Sequence, residues 1–243
     1  MTGARRSAIR LGACVLVIAA LPALLAAAPA RQSRTGTAST GREPVLLVHG
    51  FNGSASNWGA LVHMLEQAGW HADEIDAINY DSSRSNKAVA RQIADEVAAL
   101  QARTGAAHVD VVSHSMGAIS TRWYLEHLGG TASVDAWVSL AGVNEGTVWA
   151  YGCYALAPCK EMTPSSTVLD DLARHFSTSG ATRYATWWSP CDEAVVPQTN
   201  AKLPGAHNTE TACLGHSALK SDPTVLTQVV DWLGGSGTAR HSV

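Results

Sequence analysis

The stretch Val111–Ile119 reads VVSHSMGAI and places one serine at a position that decides the fold. The valine-rich stretch Val109–Val112 predicts a strand, and the apolar spacing that follows Gly117 predicts a helix. A serine between such elements lies in a sharp turn that projects its hydroxyl from the sheet edge. Its neighbours two positions away must be small, and Gly117 and Ser113 both are, although the commonest version of this pattern has glycine at both places. The context favours Ser115 as a nucleophile over an ordinary turn serine.

Strand and helix patterns alternate along the chain, which is 46% apolar. Such alternation predicts an α/β fold with a mainly parallel, doubly wound sheet. Ligand sites in these sheets lie at the carboxyl ends of the strands. The predicted strands are Val45–Val48, Ile75–Asn79, Val109–Val112, Val134–Leu140, Thr182–Trp188 and a weaker run at His207–Ala212.

The ends of the chain differ in composition from its centre. Residues 1–30 combine Arg5, Arg6 and Arg10 with an apolar run and an Ala-Pro-Ala site, the pattern of a secretory signal peptide. A transmembrane anchor is the alternative, but the run is short for a span and contains Pro22. We therefore expect an extracellular protein, exported by the general or the twin-arginine route. We further expect a flexible leader at 31–43, a catalytic domain at 44–234 with an inserted loop at 143–180, and a disordered tail at 235–243.

Composition argues against several classes of protein. Charged residues make up only 15% of the chain, the formal net charge is −3, and no basic cluster occurs outside the N-terminus, so we expect no nucleic-acid partner. The sequence lacks the Cys-x-x-Cys pair typical of zinc sites, and no acidic loop has the spacing of calcium ligands. We expect neither a metal nor another cofactor, and calcium dependence stays open.

A nucleophilic serine needs a base, usually a histidine oriented by a carboxylate. In hydrolases built on such sheets the chain order is serine, acid, histidine. Asp192, in the stretch SPCDEAVVP just after a predicted strand, is the first candidate for the acid, and Glu193 is the second. His216, in the loop CLGHS, is the candidate base. His114 adjoins the serine in sequence and is expected to point away from its hydroxyl.

Ester or amide chemistry also needs hydrogen-bond donors for the developing oxyanion. The backbone N–H after the nucleophile, that of Met116, is one candidate. The other is the N–H of Phe51 in the stretch VHGFNG, which follows the first predicted strand.

These motifs together resemble the small secreted bacterial lipases, the Bacillus-type triacylglycerol lipases and their actinobacterial relatives, in the α/β-hydrolase superfamily. The stretches that carry the resemblance are LLVHGFNGSASNW, VDVVSHSMG, SPCDEAVVP and LGHSAL, spread over about Pro44 to Leu233 and interrupted by the longer segment 143–180. The family often has alanine where this chain has Ser113. The resemblance implies a triad of Ser115, Asp192 and His216, oxyanion donors at Phe51 and Met116, and carboxylic ester hydrolysis without a cofactor.

Four cysteines remain once the predicted signal peptide, which contains Cys14, is removed. An even number in an exported protein indicates two disulfide bonds, with three possible pairings. Because the triad already brings the acid loop and the histidine loop together, we predict Cys191–Cys213. The remaining bond would then be Cys153–Cys159, within the inserted loop.

The sequence thus predicts a secreted, monomeric serine hydrolase that cleaves carboxylic esters of lipids, with no stable membrane anchor. A polyesterase resembling cutinases, an acyltransferase and a non-catalytic binding module are the alternatives. The partner is a lipid or another ester, met in solution or at a lipid–water interface. Five aromatic side chains could either contact such a substrate or serve ordinary packing: Trp149, Tyr151, Tyr154, Trp187 and Trp188. Whether segment 143–180 moves as a lid stays open.

Overall fold

A computed structural model of the chain describes residues 42–178 and 180–235. The predicted signal peptide, residues 31–41 of the predicted leader and residues 236–243 of the predicted tail lie outside the described residues. The last two residues of the leader contact the domain: the Arg42 guanidinium lies 4.8 Å from the centre of the Trp70 ring, and the Glu43 carbonyl accepts a hydrogen bond from the Trp70 indole.

Six strands form one sheet in the order β2-β1-β3-β4-β5-β6, and every neighbouring pair is parallel. The predicted doubly wound parallel sheet is therefore confirmed, with β2 and β6 shorter than predicted. The strands are β1 (Val45–Val48), β2 (Ile75–Ala77), β3 (Val109–His114), β4 (Val134–Leu140), β5 (Arg183–Trp188) and β6 (His207–Glu210).

Helices cover both faces of this sheet. Successive strand residues point to opposite sides, and both sets are apolar, so each side needs a packing partner. Leu46 and Val48 face the core shared with α2, α3 and α5, whereas Val45 and Leu47 face the core shared with α1 and α6. The α-helices are α1 (Gly59–Gln67), α2 (Asn86–Thr104), α3 (Gly117–His127), α4 (Ala157–Met162), α5 (Thr167–His175) and α6 (Pro223–Gly234). Short 3-10 helices occupy Ala55–Trp58, Ala72–Glu74, Gly130–Ala132, Val148–Cys153, Gln198–Ala201 and Ala218–Lys220.

The ends of β1 and β3 meet at the point where the strand order reverses. The chain leaves β1 for β2 on one side and then returns to place β3 on the other, which opens a crevice at the carboxyl edge. Two glycines make this approach close. A β-carbon on Gly50 would lie 2.7 Å from the Ser115 β-carbon, and one on Gly117 would lie 2.6 Å from the His49 carbonyl oxygen.

The long connection between β4 and β5 contains regular structure of its own. Helix α5 buries one apolar face, formed by Val168, Leu169 and Leu172. Helix α4 and the 3-10 helix Val148–Cys153 were not predicted. Over the residues that the structure describes, no helix is both long and apolar enough to cross a bilayer.

Candidate active site

Ser115 lies in the sharp turn that the sequence predicts, between β3 and α3. Its backbone has φ of 56°, in the left-handed region that residues other than glycine rarely adopt. The turn is held because the Ser115 N–H donates to the Leu140 carbonyl (3.1 Å), and the Ser115 carbonyl accepts from Val143 N–H (3.2 Å). The strained turn and its anchoring are the geometry of a nucleophile elbow.

Ser113 fits under this turn because its side chain is small and its hydroxyl has a partner. The residue is fully buried, and its Oγ donates to the Val138 carbonyl at 3.0 Å. Serine in place of glycine therefore leaves no buried donor unsatisfied and keeps its hydroxyl out of the crevice.

The structure brings Ser115, His216 and Asp192 into one chain of hydrogen bonds. Ser115 Oγ lies 2.9 Å from His216 Nε2. His216 Nδ1 lies 2.9 Å and 3.0 Å from the two carboxylate oxygens of Asp192. Since a carboxylate only accepts, Nδ1 carries the proton, and Nε2 is left free to accept from the serine hydroxyl.

Asp192 is fixed in place by its own loop. The carboxylate is 1% exposed, and its Oδ1 also accepts from Ala194 N–H and Val195 N–H, each at 2.9 Å. The backbone thus orients the acid toward the imidazole before any substrate arrives.

Several contacts join the acid loop to the histidine loop, and we call residues 189–193 and 213–216 together the catalytic loop pair. The disulfide Cys191–Cys213 links them covalently. The Ser189 hydroxyl donates to the Leu214 carbonyl (2.6 Å) and accepts from the Leu214 N–H (2.9 Å).

Glu193, the second candidate for the acid, contacts the backbone of His216 and not its ring. Its carboxylate accepts a hydrogen bond from the His216 backbone N–H at 2.9 Å, and it makes no contact with the imidazole. The structure therefore assigns the side-chain contact to Asp192 and leaves Glu193 on the backbone of the same loop. No local pattern in the sequence distinguishes these two acids.

The two candidate oxyanion donors flank the Ser115 turn. Within the described part of the chain, neither Phe51 N–H nor Met116 N–H has a hydrogen-bond acceptor in the protein. The loop that carries Phe51 is fixed by the Asn52 N–H, which donates to Ser82 Oγ at 2.9 Å, and by the Tyr80 hydroxyl, which donates to the His49 carbonyl. No motif in the sequence indicates these roles for Tyr80 and Ser82.

His114 was expected to point away from the serine hydroxyl, and it makes no hydrogen bond to it, but it is part of the site. Its Nε2 donates to the His216 carbonyl at 3.2 Å, and the two rings are 4.7 Å apart. Burial, with the nearby Lys220 ammonium as a smaller cause, holds the pKa of His114 well below its ordinary value, so the ring is neutral. His114 thus supports the backbone of the His216 loop. The sequence does not indicate this contact because the two residues lie 102 positions apart.

The five aromatic side chains divide into two groups. Trp187 and Trp188 are buried in the cores on opposite faces of the sheet, so they serve packing. Trp149, Tyr151 and Tyr154 are about half exposed, at 52%, 58% and 47%. In the part of the chain that is described, no cluster of three or more potential ligands could hold a metal ion.

A parallel sheet wound with helices on both faces, carrying a serine turn, a histidine and a buried aspartate at its carboxyl edge, defines a hydrolase of the α/β-hydrolase fold. The model of the lipase (class 2) family matches residues 42–229, and the chain belongs to that family. Membership supports carboxylic ester hydrolysis as its chemistry.

Solved structures agree with this fold. The mature Bacillus licheniformis lipase BlEst2 superposes with a TM-score of 0.71 at 17% identity, covering 80% of this chain and 93% of its own. Aspergillus fumigatus lipase B gives 0.67 at 19% identity, covering 81% and 53%. A Paleococcus ferrophilus monoacylglycerol lipase gives 0.58 at 14% identity, covering 79% and 94%. The expected resemblance to Bacillus-type lipases and the expected fold are thereby confirmed.

Proposed function

We propose that the protein is a secreted serine hydrolase that cleaves carboxylic esters of lipids through an acyl-enzyme on Ser115. The observation that carries the proposal is the unbroken chain of contacts from Ser115 Oγ to His216 Nε2 (2.9 Å) and from His216 Nδ1 to Asp192 (2.9 Å). Both distances are short enough for direct proton transfer or orientation.

In the acylation step, His216 Nε2 takes the Ser115 proton as Oγ attacks the ester carbonyl carbon. The carbonyl oxygen becomes an oxyanion, which the N–H groups of Phe51 and Met116 stabilise. The imidazolium then returns its proton to the departing alcohol, which leaves Ser115 acylated. Asp192 holds the imidazole in the required tautomer and stabilises its positive form.

In the deacylation step, His216 removes a proton from a water molecule as that water attacks the acyl carbon. A second oxyanion forms and collapses, the proton returns to Ser115 Oγ, and a carboxylic acid is released. The step needs no cofactor.

The proposal includes export of the protein. The two disulfide bonds favour an oxidising compartment, since disulfides are rare in cytosolic proteins. The N-terminal sequence of the protein recovered from culture medium tests this part: a start near Arg31 supports a cleaved signal peptide, and retention of residues 1–30 contradicts it.

Two serine variants test the chemistry. Ser115→Ala should lower the rate on p-nitrophenyl butyrate by about a million-fold, because the nucleophile is lost. Ser113→Ala is the matched control: it removes a buried hydroxyl two residues away that does not face the substrate, and it should retain most activity. A Ser115→Ala enzyme with near-normal activity would remove the assignment. Parallel rates on emulsified triolein separate a lipase from an esterase of soluble substrates.

A further inference from the structure

Exposed apolar surface is concentrated in one short segment. The described residues include six large hydrophobic side chains that are exposed, and five of them lie within nine residues of chain; the sixth is Leu128. We call residues 148–156 the aromatic segment. Its exposed members are Val148, Trp149, Tyr151, Tyr154 and Leu156, at 44% to 58% of their full accessibility.

The aromatic segment is held rigidly on the domain. Its 3-10 helix is capped by Thr147, whose hydroxyl accepts from the Trp149 N–H, and Ala150 is fully buried beneath it. The disulfide Cys153–Cys159 ties the segment to α4, where Cys159 is fully buried. The side chains are therefore exposed by a fixed backbone, and not because the segment lacks contacts.

Acids flank the aromatic segment, Glu145 before it and Glu161 after it, but the stretch between them carries only a base. Residues 146–160 contain no acid and one base, Lys160, in a chain with 20 acids and 17 bases. The Lys160 ammonium lies 5.8 Å from the centre of the Tyr154 ring. A groove of about 720 Å³ beside the segment is lined by Lys160, Tyr154, Tyr151 and Lys87. Glu161 also lines the groove, but its carboxylate accepts three hydrogen bonds from Ser85 and Asn86.

The aromatic segment is also connected to the catalytic machinery. Val148 N–H donates to the Val196 carbonyl at 3.0 Å, and Thr147 Oγ1 donates to the Ala194 carbonyl at 2.7 Å. Residues 194–196 follow Asp192 and Glu193 in the same loop, so the start of the aromatic segment is hydrogen-bonded to the loop that carries Asp192.

We propose that the aromatic segment attaches the protein to a lipid–water interface, with Lys160 and Lys87 contacting anionic headgroups. Trp and Tyr favour such interfaces because each has an apolar ring and a polar edge, and lysine near an anionic surface adds attraction. The inference rests on the proposed function, which places ester substrate at such a surface. The attachment is a property of the folded surface and requires no movement of segment 143–180.

Vesicle binding by the Ser115→Ala protein recovered from culture medium tests the proposal without hydrolysis. The protein should co-sediment with phosphatidylcholine vesicles, and more strongly when these contain phosphatidylglycerol. Adding Trp149→Ser, Tyr151→Ser and Tyr154→Ser should weaken binding by about tenfold or more, since each removes interfacial apolar area. Leu128→Ser, which removes the exposed side chain outside the segment, is the matched control and should bind normally. Lys160→Gln should reduce the preference for phosphatidylglycerol a few-fold.

The same triple substitution with Ser115 intact supplies the second readout. Its rate on soluble p-nitrophenyl butyrate should match that of the unaltered protein, while its rate on emulsified triolein falls about tenfold. Unchanged vesicle binding in the triple variant would overturn the proposal, as would a dimer in sedimentation velocity that becomes monomeric on substitution with no change in vesicle binding. Vesicle binding through the segment without hydrolysis of any ester would remove the proposed function and leave this inference intact.

Discussion

The two disulfide bonds stabilise regions of opposite character. Cys191–Cys213 joins residues 22 apart in the chain and lies within the catalytic loop pair, where polar groups are matched to one another. Cys153–Cys159 joins residues only 6 apart and fixes the aromatic segment, where apolar rings are exposed to solvent. One disulfide thus fixes the relative position of two loops at the candidate active site, and the other fixes the backbone of an exposed apolar surface. If this contrast is right, changes in the two regions should affect different measurements.

The strongest contrast is expected from Asp192→Asn. The amide cannot hold His216 in the tautomer that accepts from Ser115, and the corresponding change in other triads lowers kcat by about 10⁴-fold. Vesicle binding should be unaffected, because the aromatic segment is untouched. Stopped assays on p-nitrophenyl butyrate measure the loss, and Asp171→Asn, an acid on α5 that contacts His175, is the control. A loss of less than about tenfold would show that Asp192 is not the orienting acid.

Removing each disulfide compares the two regions directly. Chain entropy predicts a loss of about 3.4 kcal/mol in the free energy of unfolding for the Cys191→Ser, Cys213→Ser double variant and about 2.4 kcal/mol for Cys153→Ser, Cys159→Ser. The first should also lower kcat on soluble esters, whereas the second should lower only vesicle binding and the triolein rate. Urea unfolding followed by tryptophan fluorescence gives the energies. Equal kinetic effects on the soluble ester would contradict the division of roles.

Glu193 joins the two halves of the catalytic loop pair through the His216 backbone. Glu193→Ala removes the acceptor for the His216 N–H, which should let the base loop shift and lower kcat/KM about tenfold, equal to about 1.4 kcal/mol. Glu193→Gln retains an acceptor oxygen and should recover most of the activity. If the glutamine variant is as impaired as the alanine variant, the charge and not the hydrogen bond is what matters.

The smallest expected effect concerns pH and His114. Since the pKa of His114 is held well below its ordinary value of 6.5, the unfolded chain binds a proton more readily than the folded protein. The free energy of unfolding should therefore fall as pH drops below about 6.5, by up to about 1.4 kcal/mol per pH unit from this group. His114→Gln keeps a donor for the His216 carbonyl and should flatten that slope by about one proton, whereas Trp149→Ser in the aromatic segment should not. Urea titrations over a series of pH values measure the slopes.

The sequence predicts best those elements that depend on neighbouring residues in the chain. The valine-rich stretch Val109–Val112 predicts β3, because strands buried on both faces are rich in β-branched apolar residues, and Gly117 marks the close approach of two backbones. Chain order on this fold indicates His216 as the base and either Asp192 or Glu193 as the acid. Helix α4, the positions of Ser189 and Glu193, and the contact between His114 and His216 could not be predicted, because they depend on residues that meet only after folding. The exposure of Trp149 and burial of Trp187 were equally undetermined, since aromatic residues serve both roles.

Phosphonylation tests whether Ser115 is the nucleophile of a histidine-activated site. The protein is incubated with a p-nitrophenyl alkylphosphonate, digested, and the modified serine is located by mass spectrometry. We expect one adduct, on Ser115, formed in step with loss of esterase activity and absent from the Asp192→Asn variant on the same time scale. An adduct on Ser113 or on another serine, or full inactivation with Ser115 unmodified, would contradict it.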